Sequence, residues 1–169
     1  MGRRFSAGFV YNLPSGLRYT RGWQLSGIVT LQDGTPLNPV YFSEDFSNTG
    51  TPNRPNVVAG QNVILPVNQR SADRYFNTAA FSTPQPYTFG NAGRDTIPGP
   101  GNEVVDLSVH RTFKLGESKH LEFRAESFNL LNHPNIGVPG PYPDFGPYFG
   151  KIFSTGQPRR YQIALRFGF

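Results

Sequence analysis

What most restricts the fold of this 169-residue chain is where its prolines are missing: all sixteen fall outside five segments, 3–13, 17–32, 103–113, 120–131 and 159–169. Proline has no backbone N–H to give to a β-ladder, so these five stretches are the ones free to pair as strands. The last of them carries "YQIALRFGF", with Tyr161, Ile163, Leu165, Phe167 and Phe169 on one side and Gln162, Ala164, Arg166 and Gly168 on the other. A period of two that gathers every large apolar group together marks a strand with one face in an apolar medium, either a protein core or a lipid bilayer.

Three more segments follow the same rule. The first sets Phe5, Ala7, Phe9, Tyr11 and Leu13 against Arg4, Ser6, Gly8, Val10 and Asn12. After the turn "PSG", the second sets Trp23, Leu25, Gly27, Val29 and Leu31 against Gln24, Ser26, Ile28, Thr30 and Gln32. The third sets Val105, Leu107 and Val109 against Asp106, Ser108 and His110. The fourth is ambiguous: "HLEFRAESFNLLN" is rich in helix formers and places Leu121, Ala125, Phe128 and Asn132 along one helical stripe ended by Pro134. Read as a strand, it alternates Leu121, Phe123 and Ala125 against Glu122, Arg124 and Glu126, with a phase shift at Phe128 of the kind a bulge produces.

The connections alternate in length, at about three, seventy, six and twenty-seven residues. Short turns at one end and long loops at the other (33–102 and 132–158) suit a membrane barrel, and segments of ~9–11 residues suffice to cross a bilayer at a tilt. The expected fold is all-β, an antiparallel meander of about five transmembrane strands with long extracellular loops. A soluble β-sandwich binding module of the carbohydrate-binding type is the alternative, with its apolar faces packed sheet on sheet.

Composition narrows the classes further. There is no cysteine for a disulfide or a thiolate metal site. No charged start followed by an apolar run opens the chain, and nothing approaches the ~18 apolar residues of a membrane helix, so a route to the membrane has to use strands. The net charge is +5, but its Lys and Arg are scattered rather than clustered, which argues against nucleic acid as a partner. Asp106, Ser108 and His110 are the residue types of a hydrolase triad, yet same-face neighbours on a strand stand ~6.6 Å apart and triad members must touch. His110, His120 and His133 lack paired ligand spacing, and Gly99-Pro-Gly101 lacks the third glycine of a phosphate loop. No catalytic, metal or cofactor-binding residue is expected, and the chain reads as a non-enzyme.

Taken in order, "GWQLSGIVTLQDGTPL", "RYFNTAAF", "GNAGRDTIPGPG", "VDLSVHRTF", "LEFRAESFNLLNHPN" and "RRYQIALRFGF" resemble the C-terminal part of the barrel in TonB-dependent outer-membrane receptors. The likeness spans nearly the whole chain. It is strongest to the Oar-like group, whose members carry a carboxypeptidase-regulatory-like domain. The resemblance implies a segment of a ~22-strand barrel in the outer membrane of a Gram-negative bacterium, closed in intact members around a plug domain. It further implies uptake of a ligand energised through a separate coupling protein. By the same likeness Tyr161, Ile163, Leu165, Phe167 and Phe169 form the insertion signal read by the barrel-assembly machinery. Plug, regulatory domain and energy-coupling box are not in this sequence, so the chain reads as a fragment beginning at an internal Met1 and not expected to transport alone.

On this reading Asp106, His110, Glu122, Arg124, Glu126 and Arg166 face the lumen, while Trp23, Phe113 and Phe169 belong to aromatic girdles at the edges of the lipid. The stretches "YFSEDF" and "RYFNTAAF" in loop 33–102 suit a sugar, peptide or other polar ligand, or else pack the loop against the barrel rim.

Overall fold

The computed structural model describes residues 2–14, 16 and 20–169, and they divide into two compact units. One unit holds a five-stranded antiparallel sheet built from β1 (Arg4–Asn12), β2 (Trp23–Gln32), β5 (Asn102–Lys114), β6 (His120–Phe128) and β7 (Arg160–Gly168). The other holds the short strands β3 (Asn56–Val57) and β4 (Phe81–Ser82). In the sheet the strand order is β1-β2-β5-β6-β7, so neighbours follow one another along the chain once the β3–β4 segment is set aside. This is the antiparallel meander that the alternation predicts.

Register fixes the two ends of the sheet. Gln32 pairs with Asn102 and Phe128 with Arg160, so both long connections leave from the same end. At the other end Asn12 pairs with Gln24 and Lys114 with His120.

Two boundaries differ from expectation. The second segment does not begin at residue 17: positions 17–19 lie outside the described residues, 20–22 form a turn, and the strand starts at Trp23. Gly22 at φ 81 reverses the chain there, and the Thr20 hydroxyl caps the Pro14 carbonyl at 2.6 Å. The fourth segment is a strand, not a helix, and it stops at Phe128 rather than residue 131. Ladder pairing on both sides overrides its helix-forming composition. There is also no bulge at Phe128, which pairs in unbroken register with Arg160 and lies under that guanidinium at 5.7 Å.

The motif "NLLNHPN" ends the strand through its asparagines. Asn129 and Asn132 both take φ 51, a left-handed conformation that asparagine tolerates well. Asn129 donates its side-chain amide to the carbonyls of His133 and Gln157, at 3.0 and 3.1 Å. Asn135 extends the pairing beyond the strand, accepting from the Glu103 N–H at 2.7 Å and donating to the Glu103 carbonyl at 2.9 Å.

The second unit comprises residues 33–101 and 136–155 with Gly2. Rather than two open loops, these segments share a core of Leu37, Tyr75, Phe76 and Ile97, with Phe81, Phe149 and Ile152 against it. Phe76, Phe81 and Phe149 meet edge to face, at centroid separations of 5.1 to 6.0 Å. Backbone bonds stitch the two segments together, Tyr75 N–H to Gly150 at 3.0 Å and Ile152 N–H to Ala72 at 2.7 Å. Two glycines of the quoted motifs, Gly34 and Gly99, pass backbone against backbone, where any Cβ would collide with the opposite chain.

Two carboxylates fold the irregular stretches of this unit. Asp144 accepts from the N–H groups of Phe42 and Ser43 and from the Ser43 hydroxyl, the last two at 2.8 Å. Desolvation pulls its pKa upward, but these hydrogen bonds outweigh it and hold the carboxyl below its ordinary value. Asp45 accepts from the Gly50 N–H at 2.6 Å, which, against a smaller opposing desolvation, lowers its pKa to about 2 with help from Asn53 and Ser47. Carboxyls depressed in the folded state stabilise it above the ordinary value of 3.8 and lose that contribution as pH falls through the folded pKa. The Gly50 amide resonance is therefore expected to titrate with a midpoint near 2; a midpoint near 3.8 would show the Asp45 turn to be open.

Candidate functional site

The ladder register sorts the sheet into two chemically distinct faces. One face carries Phe5, Phe9 and Tyr11 from β1, Trp23, Leu25, Val29 and Leu31 from β2, and Val105, Leu107, Val109 and Phe113 from β5. It continues with Leu121, Phe123 and Ala125 of β6 and Tyr161, Ile163, Leu165 and Phe167 of β7. On the edge strands these side chains stand open, Ile163 71% exposed and Leu165 67%, while most of those on the central strands are half-buried by their neighbours. Gly27 is buried on this face because the Phe9 ring of the neighbouring strand lies over it, filling the place a side chain would take. So wide an exposed apolar surface is foreign to a water-soluble monomer and suited to lipid. Among the described residues the only other ladder is the β3–β4 pair, so no second sheet of a sandwich is present.

The opposite face is polar, and the six residues expected to face a lumen all lie on it. Across the strands run Gln24, His110, Arg124 and Ala164, then Ser26, Ser108, Glu126 and Gln162, then Thr112, Glu122 and Arg166. A hollow of about 660 Å³ opens on this side, with Asp106, His110, Arg124 and Glu126 in its lining. Arg124 and Glu126 approach to 3.9 Å, but with both side chains reachable by water the pair contributes little stability. Asp106 also has a structural task, accepting the Asn129 N–H at 2.8 Å where β6 ends. Gln24, Ser26, Ile28 and Phe128 line the hollow too. Their even-numbered positions on the alternating strands would have placed them there, but only charged groups and His110 were singled out from the sequence.

Asp106, Ser108 and His110 share the polar face at alternate positions of β5, and no group of three metal-binding side chains occurs among the described residues. His133 lies 3.8 Å from Glu103 at the long-connection end.

The aromatic residues assigned to girdles separate into two places. Trp23 and Phe113 come together on the apolar face at 6.5 Å, joined by Phe123 at 5.9 Å from Trp23, all near the short-turn end. Phe169 stands apart, 93% exposed and tilted against Phe167 at 6.2 Å. One member of the cluster escaped the sequence reading: Arg111, which shares the parity of the apolar residues, pairs with Trp23 and Phe123 and lies over the rings of Trp23 and Phe113 at 5.3 and 4.5 Å. Along β5 the two charged residues of this face, Glu103 and Arg111, bracket Val105, Leu107 and Val109. Eight residues at ~3.3 Å each give ~26 Å along the strand, or ~20 Å across a bilayer at ~40° tilt, close to the ~25 Å apolar band of membrane barrels.

No curated protein and no solved structure matches the chain. The outer membrane beta barrel domain family matches residues 1–162, nearly its whole length. With one lipid-suited face, one polar face and long connections at a single end, the chain belongs to the outer membrane beta barrel domain family and is an outer-membrane protein.

Proposed function

We propose that the chain is the C-terminal part of a TonB-dependent receptor barrel of the Oar-like type, serving energised uptake of a ligand rather than catalysis. The observation that carries this reading is the polar sheet face, where Asp106, His110, Glu122, Arg124, Glu126 and Arg166 lie on the side of the 660 Å³ hollow. A lumen that must seat a plug and release it needs polar, exchangeable contacts, and weak water-accessible pairs such as Arg124–Glu126 supply them. Residues 33–101 and 136–155 form the extracellular unit that meets the ligand. Exposed Phe42 and Phe145 there, 5.7 Å apart and with half-buried Tyr142 5.4 Å from Phe42, suit the flat faces of sugars or peptide side chains. Further strands, plug and coupling box are contributed by the full-length parent, and no cofactor or metal takes part.

Cross-linking of the parent receptor to the periplasmic domain of the energy-coupling protein tests the transport reading. Specific capture is expected; a membrane-inserted parent that captures nothing would sink energised uptake while leaving the barrel intact. Phe169→Ala addresses the insertion signal on β7. It is expected to lower the amount of heat-modifiable, surface-exposed parent several-fold, and undiminished surface abundance would remove the terminal ring from that role.

A further inference from the structure

We infer that Arg111, with Trp23, Phe113 and Phe123, forms a docking site for the headgroup of an anionic phospholipid at the short-turn end of the sheet. The inference rests on the membrane reading of the apolar face, and it concerns a residue whose charge that reading leaves unexplained. Arg111 projects from the face shared by Leu107 and Val109, half-buried among aromatic rings. Among the described residues no carboxylate pairs with it and no acceptor receives its guanidinium N–H groups. Five such donors beside hydrocarbon are costly unless something satisfies them.

The direction of the side chain indicates what does. Its Nε lies 4.0 Å from where a Cβ on Gly22 would stand, so the side chain runs away from the apolar band and toward the β1–β2 turn. At that level a bilayer offers phosphate groups, which match a guanidinium fork in charge and geometry. Trp23 in the same row and Phe113 one same-face position nearer the turn flank the guanidinium through their π-faces and leave its N–H edge for the phosphate. Arg21 and Lys119, exposed on the two short turns, and Lys114 at the end of β5 add positive charge at the same end, opposed on these turns by Glu117 alone. This balance favours an anionic headgroup over a zwitterionic one.

Trp23 is the only tryptophan of the chain, so its fluorescence reports on this site and no other. The 169-residue chain would be refolded into vesicles of phosphatidylcholine mixed with brominated phosphatidylcholine or brominated phosphatidylglycerol, and quenching of Trp23 compared. Preference for the anionic lipid of about fivefold is expected at low salt, from the attraction of one arginine near a charged surface, and it should shrink as salt is raised. Arg111→Gln should abolish the preference, Arg111→Lys should keep part of it, and Lys114→Gln on the polar face should leave most of it. Equal quenching by both lipids in the unaltered chain, or a preference that survives Arg111→Gln, overturns the site. Quenching by neither lipid overturns something else, the placement of the apolar face in the bilayer. Should Arg111→Gln fail to refold, the salt dependence of the unaltered chain and of Arg111→Lys decides the matter.

Discussion

Replacing Phe76 by Ala is expected to cost about 3–5 kcal/mol in the unit built from residues 33–101 and 136–155, the usual range for removing a large aromatic from a packed interior. Phe76 is 1% exposed and holds edge-to-face contacts with Phe81 from its own segment and Phe149 from the other. Removing the ring therefore opens a cavity at the place where the two segments meet, and Phe149 cannot fill it without abandoning Phe81. Hydrogen exchange at the amides of Tyr75 and Ile152, which bond across the segments, would report it as a large fall in protection. Phe76→Leu, which keeps most of the volume, should cost much less. Unchanged protection in Phe76→Ala would mean that the carboxylate ties, chiefly Asp144 to Phe42 and Ser43, hold the segments together without the core.

That contrast between the two units explains which parts of the fold could be read from the sequence. In the sheet each residue's environment depends on its parity, so Tyr161, Ile163, Leu165 and Phe167 declare their common face through local spacing alone. The helix-or-strand ambiguity of residues 120–131 arose because local composition favours a helix while the deciding contacts, the ladders to β5 and β7, lie far along the chain. Arg111 was missed for a related reason: its parity is apolar and its chemistry is not, and only the rings of Trp23 and Phe113 reconcile them. Residues 33–101 offered no period to read. Their order comes from an aperiodic core around Phe76 and from single side-chain bonds between distant positions, such as Asn38 with Asp95 and Asn56 with Asn91, each bonding the other's loop. Asparagines in a loop look alike in sequence whether they fold it or face water. Of the residues expected to face a lumen, Asp106 lies on the polar face, but its bond to Asn129 depends on a left-handed turn that spacing does not reveal.

Arginine at Leu165 or Leu107 in the full barrel is expected to cost on the order of 2–4 kcal/mol, because a guanidinium placed near the midplane of the lipid must be desolvated or draw water and headgroups inward. Register puts Leu107 near the middle of the β5 band, between Val105 and Val109, while Leu165 lies in the same row as Arg111, through Phe123. Leu107→Arg should therefore approach the upper figure, and Leu165→Arg the lower, since an arginine there can reach toward the short-turn end as Arg111 does. The neighbouring positions Ser108 and Ala164 lie on the polar face, beside Glu126 and Arg124 respectively, where an added charge keeps its water and should cost far less. Pairing shifted by a single residue would exchange the two sets, so the order of the four variants tests the register as well as the medium. Urea unfolding in lipid vesicles, followed by heat-modifiable migration, measures that order. If Ser108→Arg and Ala164→Arg prove as damaging as Leu107→Arg, the apolar face does not meet lipid in the barrel, and Ile163 and Leu165 must be covered by protein instead.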